Sequence, residues 1–261
     1  MTRSTDFVYG LHAVRMLLMR RPERIVRLVL VAGREDARIR EIMLLAQRHT
    51  RPVEYAPAQK LKQLVGDAVH QGVTAEILPL PTWSEDDLLT ALQENTQPLL
   101  LALNGVQDPH NLGACLRTAD ACGALAVVVP RDRAAQLTGA ARKVAAGAAE
   151  TTPVVSVTNL ARSLRLLKQA GLWIVGAEAS APLRVQDADL RQGTALVLGA
   201  EEAGLRRLTR ECCDSLVRLP QLGAVESLNV SVAAAMLLYE AVRQRGTEPA
   251  SKPTAQAKED R

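Results

Sequence analysis

The stretch LLLALNGVQDPHNLGACLRTA, residues 99–119, opens on an apolar run and closes on a helical pattern. An unbroken apolar run of this length fits a strand buried on both faces, as in a parallel sheet. Asp108-Pro109 favours a turn, because proline fixes its own φ and keeps the residue before it extended. Asn111 can cap the helix that follows, and Gly113 admits close approach of a backbone or a ligand. A strand that empties through a loop into a helix delivers side chains to the carboxyl edge of the sheet, where open α/β folds bind ligands. Asn111 and Arg117 are the polar candidates at that edge.

Downstream, apolar runs at 125–129, 154–157, 172–175, 195–198 and 216–219 alternate with helical patterns, which reads as α/β with a parallel sheet. Two of these runs end in informative loops. LVLGAEEAGL, residues 196–205, carries Gly199, Glu201 and Gly204, but not at the G-x-G-x-x-G spacing of a dinucleotide fingerprint. A nucleotide-dependent oxidoreductase is therefore disfavoured. LPQLGAVESLNVSVAAA, residues 219–235, places Ser227 as N-cap of a last helix expected from 228 to about 244, with Asn229 in its first turn. Glu226 is expected beside the positive end of that helix. The small residues 232–235 permit very close packing against a neighbour.

Upstream, Leu11, Val14, Leu17 and Leu18 recur at helical spacing, the run 25–31 reads as a strand, and Ile39, Ile42 and Leu45 give a second helix. Short strands are expected at 52–55 and 73–78. Arginines crowd this third of the chain, and their planar forks suit phosphate oxygens. The net charge of +4 also fits a polyanionic partner. Aromatics are only 2% of the residues, so base stacking cannot be the main source of affinity for a nucleic acid, were that the polyanion. Between 79 and 97 the composition turns to proline and an acidic stretch, Ser84-Glu85-Asp86-Asp87, which fits a linker followed by a helix start. The expected organisation is a first domain at 1–78, a linker at 79–97, a second domain at 98–245 and a disordered tail at 246–261. Cys115, Cys122, Cys212 and Cys213 lack zinc spacing and read as small buried hydrophobes in a reducing compartment. With no export signal or membrane-length apolar run, a cytoplasmic location is expected.

In this order and at these separations, the three loop segments resemble the motifs of the SpoU/TrmH class of SPOUT RNA methyltransferases. The D-P-x-N-L-G-x-x-x-R-T-A pattern is matched by Asp108, Pro109, Asn111, Leu112, Gly113, Arg117, Thr118 and Ala119. Gly199 and Glu201 match the second motif, and Ser227 through Ser231 the third. VYGLHAV at 8–14, HQGV at 70–73 and LTR at 208–210 are similar to bacterial members that 2′-O-methylate a guanosine in the peptidyl-transferase-centre P loop of 23S rRNA. Glu202-Ala203 and Val225-Glu226 depart from that subgroup.

The resemblance implies a two-domain α/β protein: a small ribosomal-protein-L30e-like RNA-binding domain, then a SPOUT domain with a deep trefoil knot. It implies S-adenosyl-L-methionine held by backbone groups at Gly199, Leu219 and Leu228, with no metal. It also implies a homodimer acting on 23S rRNA or a ribosome-assembly intermediate. By the same resemblance, Arg117 engages the 2′-hydroxyl and adjacent phosphate, while Asn111 and Asn229 orient the ribose and Arg117. Glu201 fixes Arg117 or its loop, and Ser227 holds the third loop or the substrate. Two alternatives stay open: a tRNA ribose 2′-O-methyltransferase of the same class, which Val225-Glu226 favours, and a non-catalytic RNA-binding assembly factor.

Overall fold

The computed structural model describes residues 6–66, 68–78, 83–200, 204–224 and 227–246, which form two α/β units, each around its own sheet. The first unit contains β1 (Asp6–Tyr9), α1 (Leu11–Arg20), β2 (Ile25–Val31), α2 (Ala37–Arg48), β3 (Val53–Ala56), α3 (Ala58–Val65) and β4 (Val73–Ile77). Its sheet runs β1-β4-β2-β3, parallel only between β2 and β3. Leu11, Val14, Leu17 and Leu18 of α1 share a core with Ile39 and Ile42 of α2 over Leu28 and Leu30 of β2. Val29 faces the other way, onto Ala56 and Leu61. Burial on both faces explains why β2 is nearly all aliphatic. β1 and α3 have no counterpart among the expected elements: β1 is four residues long, and α3 buries only Leu61, so it shows no repeating apolar face.

The second unit begins inside the span expected as a linker. Here α4 (Glu85–Gln93) carries a capping box in which the Ser84 and Asp87 side chains satisfy each other's backbone N–H groups. Its Leu88 and Leu92 pack with Leu100, Ala102 and Val128 of the second sheet.

Then follow β5 (Leu99–Asn104), α5 (Pro109–Ala121), β6 (Ala126–Pro130), α6 (Gly139–Ala145), a 3₁₀ turn (Ala148–Glu150), β7 (Val154–Val157) and α7 (Leu160–Gln169). β8 (Trp173–Ala177), β9 (Leu183–Arg184), β10 (Thr194–Gly199), α8 (Arg207–Cys212), β11 (Ser215–Arg218) and α9 (Val230–Arg245) complete the unit. All seven strands are parallel, in the order β7-β6-β5-β10-β8-β11-β9. Leu99, Leu101 and Leu103 of β5 belong to the core with α5, α6 and α9, while Leu100 and Ala102 belong to the core with α4 and α7. Helices on both faces bury every position of the strand, as its composition requires.

Two expected caps are corrected. Asp108, not Asn111, caps α5: its carboxylate accepts from the His110 N–H at 2.8 Å, with Pro109 at the first helical position. Asn229, not Ser227, caps the last helix, which therefore starts at Val230 and not at 228. Asn229 Oδ1 takes bonds from Ser231 N at 2.9 Å and Ser231 Oγ at 2.6 Å, and asparagine caps as well as serine does.

At its far end, α9 is tied to the entrances of two strands. Arg245 donates to the carbonyls of Gln97 at 2.8 Å, Leu190 at 3.0 Å and Gln192 at 2.7 Å. Burial lowers the pKa of this guanidinium from its usual value. Gln244 donates to the Ala188 carbonyl at 3.0 Å and accepts from Leu190 N at 2.9 Å. The four cysteines are free; burial raises the Cys122 pKa and pushes that of Cys213 up to about 12, so both stay protonated thiols at neutral pH. The expected disordered tail from 247 onward, Glu201 and Glu226 lie outside the described residues.

Candidate active site

β5 and β10 are neighbours in register, with Asn104 opposite Gly199, so the first and second motif loops leave the sheet side by side. The chain turns from one direction of strand addition to the other across this pair, which makes it the switch point where open α/β sheets take ligands. Beyond Gly199 the backbone doubles back: Gly204 N donates to Ala200 O at 2.8 Å. A Cβ on Gly199 would overlap the Gly204 carbonyl group and approach Leu205 N to 2.5 Å, so only glycine fits there.

Gly113 has the same kind of requirement one helix away. Its Cβ would strike the Ala141 carbonyl oxygen and lie 2.8 Å from Val144 Cβ, so the glycine sets the crossing of α5 and α6. The close approach expected at Gly113 is thus by a backbone.

The third segment comes to the first through a direct bond. Asn229 Nδ2 donates to Asn111 Oδ1 at 3.0 Å, joining residues 118 positions apart. With its Oδ1 engaged at the helix cap, one amide both starts α9 and holds the start of α5. Leu219 packs against the core beneath, Leu228 is half-buried, and Ser227 is exposed.

Arg117 is placed differently. It is exposed, and its side chain makes no hydrogen bond or ion pair among the described residues. Six residues along an α-helix is about 9 Å of rise and roughly 120° of rotation, so Arg117 projects from another face of α5 than Asn111 does. The expected contacts of Arg117 with the asparagines are therefore not formed within one chain.

Neighbouring loops are braced. Ala135 N donates to Val106 O at 2.7 Å, fastening the loop after β6 to the first motif loop. Arg210, from the 208–210 stretch, donates to Glu178 at 2.7 Å, and together with Ser180 it lowers the Glu178 pKa below the usual carboxylate range.

Sequence reasoning gave no role to two residues here. Asn104 ends the apolar run of β5 with a buried side chain whose Nδ2 donor has no protein partner. Arg206 lies over Gly105, its Nη2 3.4 Å from where a Cβ would be. A polar residue closing an apolar run was the available signal for Asn104; nothing comparable marks Arg206.

These features leave polar groups that a bound cofactor can engage: the unsatisfied Asn104 donor opposite Gly199, and a segment at 221–224 whose backbone makes no hydrogen bond among the described residues. Among those residues no cluster of His, Cys, Asp or Glu could hold a metal, and no helix is long and apolar enough to cross a membrane.

A parallel α/β domain of this topology, with its motif loops gathered at the switch point and an α/β partner domain ahead of it, fits the SPOUT class of methyltransferases. Residues 98–239 match the SpoU rRNA Methylase family, and residues 7–83 match the RNA 2′-O ribose methyltransferase substrate-binding family. The chain belongs to the SpoU rRNA methylase family, whose methyl donor is S-adenosyl-L-methionine.

A protein of Pseudomonas aeruginosa named 23S rRNA (guanosine-2′-O-)-methyltransferase RlmB is 52% identical over 240 residues, covering 91% of this chain and 96% of that protein. The protein of the same name from Escherichia coli is 47% identical over 241 residues, covering 92% and 99%. Among solved structures, the SpoU methyltransferase AviRb from Streptomyces viridochromogenes is similar in fold. Its TM-score is 0.76 at 24% identity, with 92% of this chain and 90% of that one covered.

Proposed function

We propose that this protein transfers the methyl group of S-adenosyl-L-methionine to the ribose 2′-hydroxyl of a guanosine in 23S rRNA, in the P loop of the peptidyl-transferase centre. The single observation that carries this reading is the Asn229–Asn111 hydrogen bond, which fastens the third motif to the first at the sheet's switch point. The substrate class rests on relatives of about half identical sequence, matched over nearly the whole chain, whose names specify guanosine 2′-O-methylation of 23S rRNA. Both the catalytic and the substrate-binding parts are matched, which favours ribosomal RNA over the tRNA alternative.

The bound cofactor supplies an electrophilic methyl on a sulfonium. Backbone groups at Gly199, Leu219 and Leu228 hold its adenosine part. Asn111 and Asn229 act as one bonded unit that orients the ribose, and Ser227 steadies the third loop. Glu201, which lies outside the described residues, is assigned the charge that restrains Arg117 or its loop once substrate is bound. Arg117 clamps the phosphate beside the target with its planar, charged fork.

The protein acts as a homodimer. α9 already buries Val230, Ala234, Leu237, Leu238 and Ala241, yet it presents Val232, Met236 and Tyr239 to solvent at helical spacing. A second apolar stripe on a helix that has already filled its core face suits a second copy of the chain.

Mass spectrometry of rRNA and tRNA from cells lacking the protein tests the reaction and substrate. Loss of one 2′-O-methylguanosine from the P loop of 23S rRNA is expected. A loss confined to tRNA would establish the alternative, and intact methylation in both pools would refute the reading.

A further inference from the structure

The two units meet through a buried charge cluster. Arg24, in the turn leading into β2, is only 6% exposed. Its Nε and Nη2 donate to the Leu78 carbonyl at 3.2 and 3.0 Å, and its Nη1 donates to the Glu150 carboxylate. Glu150 closes the 3₁₀ turn of the second unit, is 2% exposed, and takes a further bond from Arg142 Nη1 of α6 at 2.8 Å. Beside this cluster Met16 of α1 packs on Gly147, where an added Cβ would lie 3.0 Å from Met16 Cβ and φ is +97°.

The same turn is tied to the helix that carries the first motif. Asp120 of α5 accepts from Thr151 Oγ1 and, at 3.1 Å, from Thr152 Oγ1. α6 crosses α5 at Gly113. A continuous set of directional contacts therefore runs from Arg24 through Glu150 to α5.

Desolvation offsets most of what a buried ion pair gains, so the cluster adds little net stability, yet leaving one of its charges unpaired is costly. Its geometry admits one relative placement, whereas an apolar interface tolerates sliding. We propose that Arg24, Glu150 and Arg142 form an orienting lock that seats the RNA-binding unit at a fixed angle on α5. RNA bound by the first unit then presents its target ribose to the second. The lock rests on the function proposed above; Arg24 and Glu150 are positioning residues.

The test uses the full-length protein with Glu150→Gln, Arg24→Met and the double variant. Two RNAs serve as substrates: a long 23S rRNA fragment, and a short oligonucleotide around the target guanosine. For the single variants, kcat/KM on the long fragment should fall about tenfold or more, because small misplacements remote from the chemistry cost rate. S-adenosylmethionine affinity and the slow rate on the oligonucleotide should stay within about twofold of wild type. Amide hydrogen exchange should quicken on both facing surfaces, at 7–16 and at 139–152. The double variant removes the Arg24 charge and leaves only Arg142 without the Glu150 carboxylate, so it should regain part of the thermal stability lost in Glu150→Gln while its defect on the long fragment persists.

Equal losses on both RNAs, exchange changes confined to one unit, or kcat/KM that recovers with stability in the double variant would overturn the lock. Should the wild-type protein methylate neither RNA, the functional reading fails, and hydrogen exchange still decides the lock.

Discussion

At the scale of single residues, the site separates side chains that build it from one that stays exposed on α5. Asn229 builds: it caps α9 and bonds Asn111. Asn229→Ser keeps a capping oxygen but removes the donor to Asn111, whereas Asn229→Ala removes both. Both variants should lose methyl transfer, but only the alanine variant should also lose about 1 kcal/mol of stability in denaturant melts. Equal stability of the two variants would deny the cap its share. Arg117 is exposed and makes no ion pair among the described residues, so Arg117→Ala should leave folding and cofactor affinity near wild type while turnover drops by about a hundredfold or more. Arg117→Lys should fail as well, since a point charge cannot reproduce the planar fork. Near-normal turnover of either variant, measured as tritiated methyl transfer to rRNA, would remove Arg117 from the mechanism.

At the scale of elements, glycines set how closely segments approach. Gly113→Ala would drive a Cβ into the Ala141 carbonyl and force α6 off α5, which should cost about 1–3 kcal/mol in thermal or urea unfolding. An unchanged midpoint would show that α6 yields freely. The strands around this crossing were legible because strands buried on both faces leave unbroken aliphatic runs, as 99–103 and 195–198 do. The first two motif loops were legible because each follows such a run; the third follows Ser215–Arg218, where only Val217 is buried, and was legible from its own S-L-N-V-S pattern. Caps were less so: aspartate, asparagine and serine all cap, and Asp108 and Asn111, or Ser227 and Asn229, lie within one turn of each other. The Asn229–Asn111 bond and the Arg24–Glu150 pair could not be read at all, because each joins residues more than 100 positions apart that share no local pattern.

At the scale of the whole molecule, the question is which pieces stand alone and how many copies make a working site. Leu88 and Leu92 of α4 pack with the second sheet, so a chain beginning at 97 would bare an apolar face, whereas one beginning at 84 keeps it covered. The chain from 84 should fold and bind S-adenosylmethionine but lose RNA affinity and site selection. Unchanged methylation of the same nucleotide by that chain would make the first unit dispensable. The last prediction joins α5 to α9. Arg117 lies about a third of a turn away from Asn111 on its helix. Val232, Met236 and Tyr239 remain exposed on α9, which packs directly beside α5. If a two-fold dimer through this surface sets one copy's Arg117 against the other copy's asparagine pair, each site draws on both chains. Met236→Asp combined with Tyr239→Asp should then give a monomer by sedimentation, folded but inactive. Mixing Arg117→Ala with Asn229→Ala protein should restore activity, because half of the reassorted dimers contain one site with both residues intact. Recovery of about one quarter of wild-type activity is expected for free exchange between the two variants. A mixture as inactive as its components would place Arg117 and Asn229 in the same chain's site.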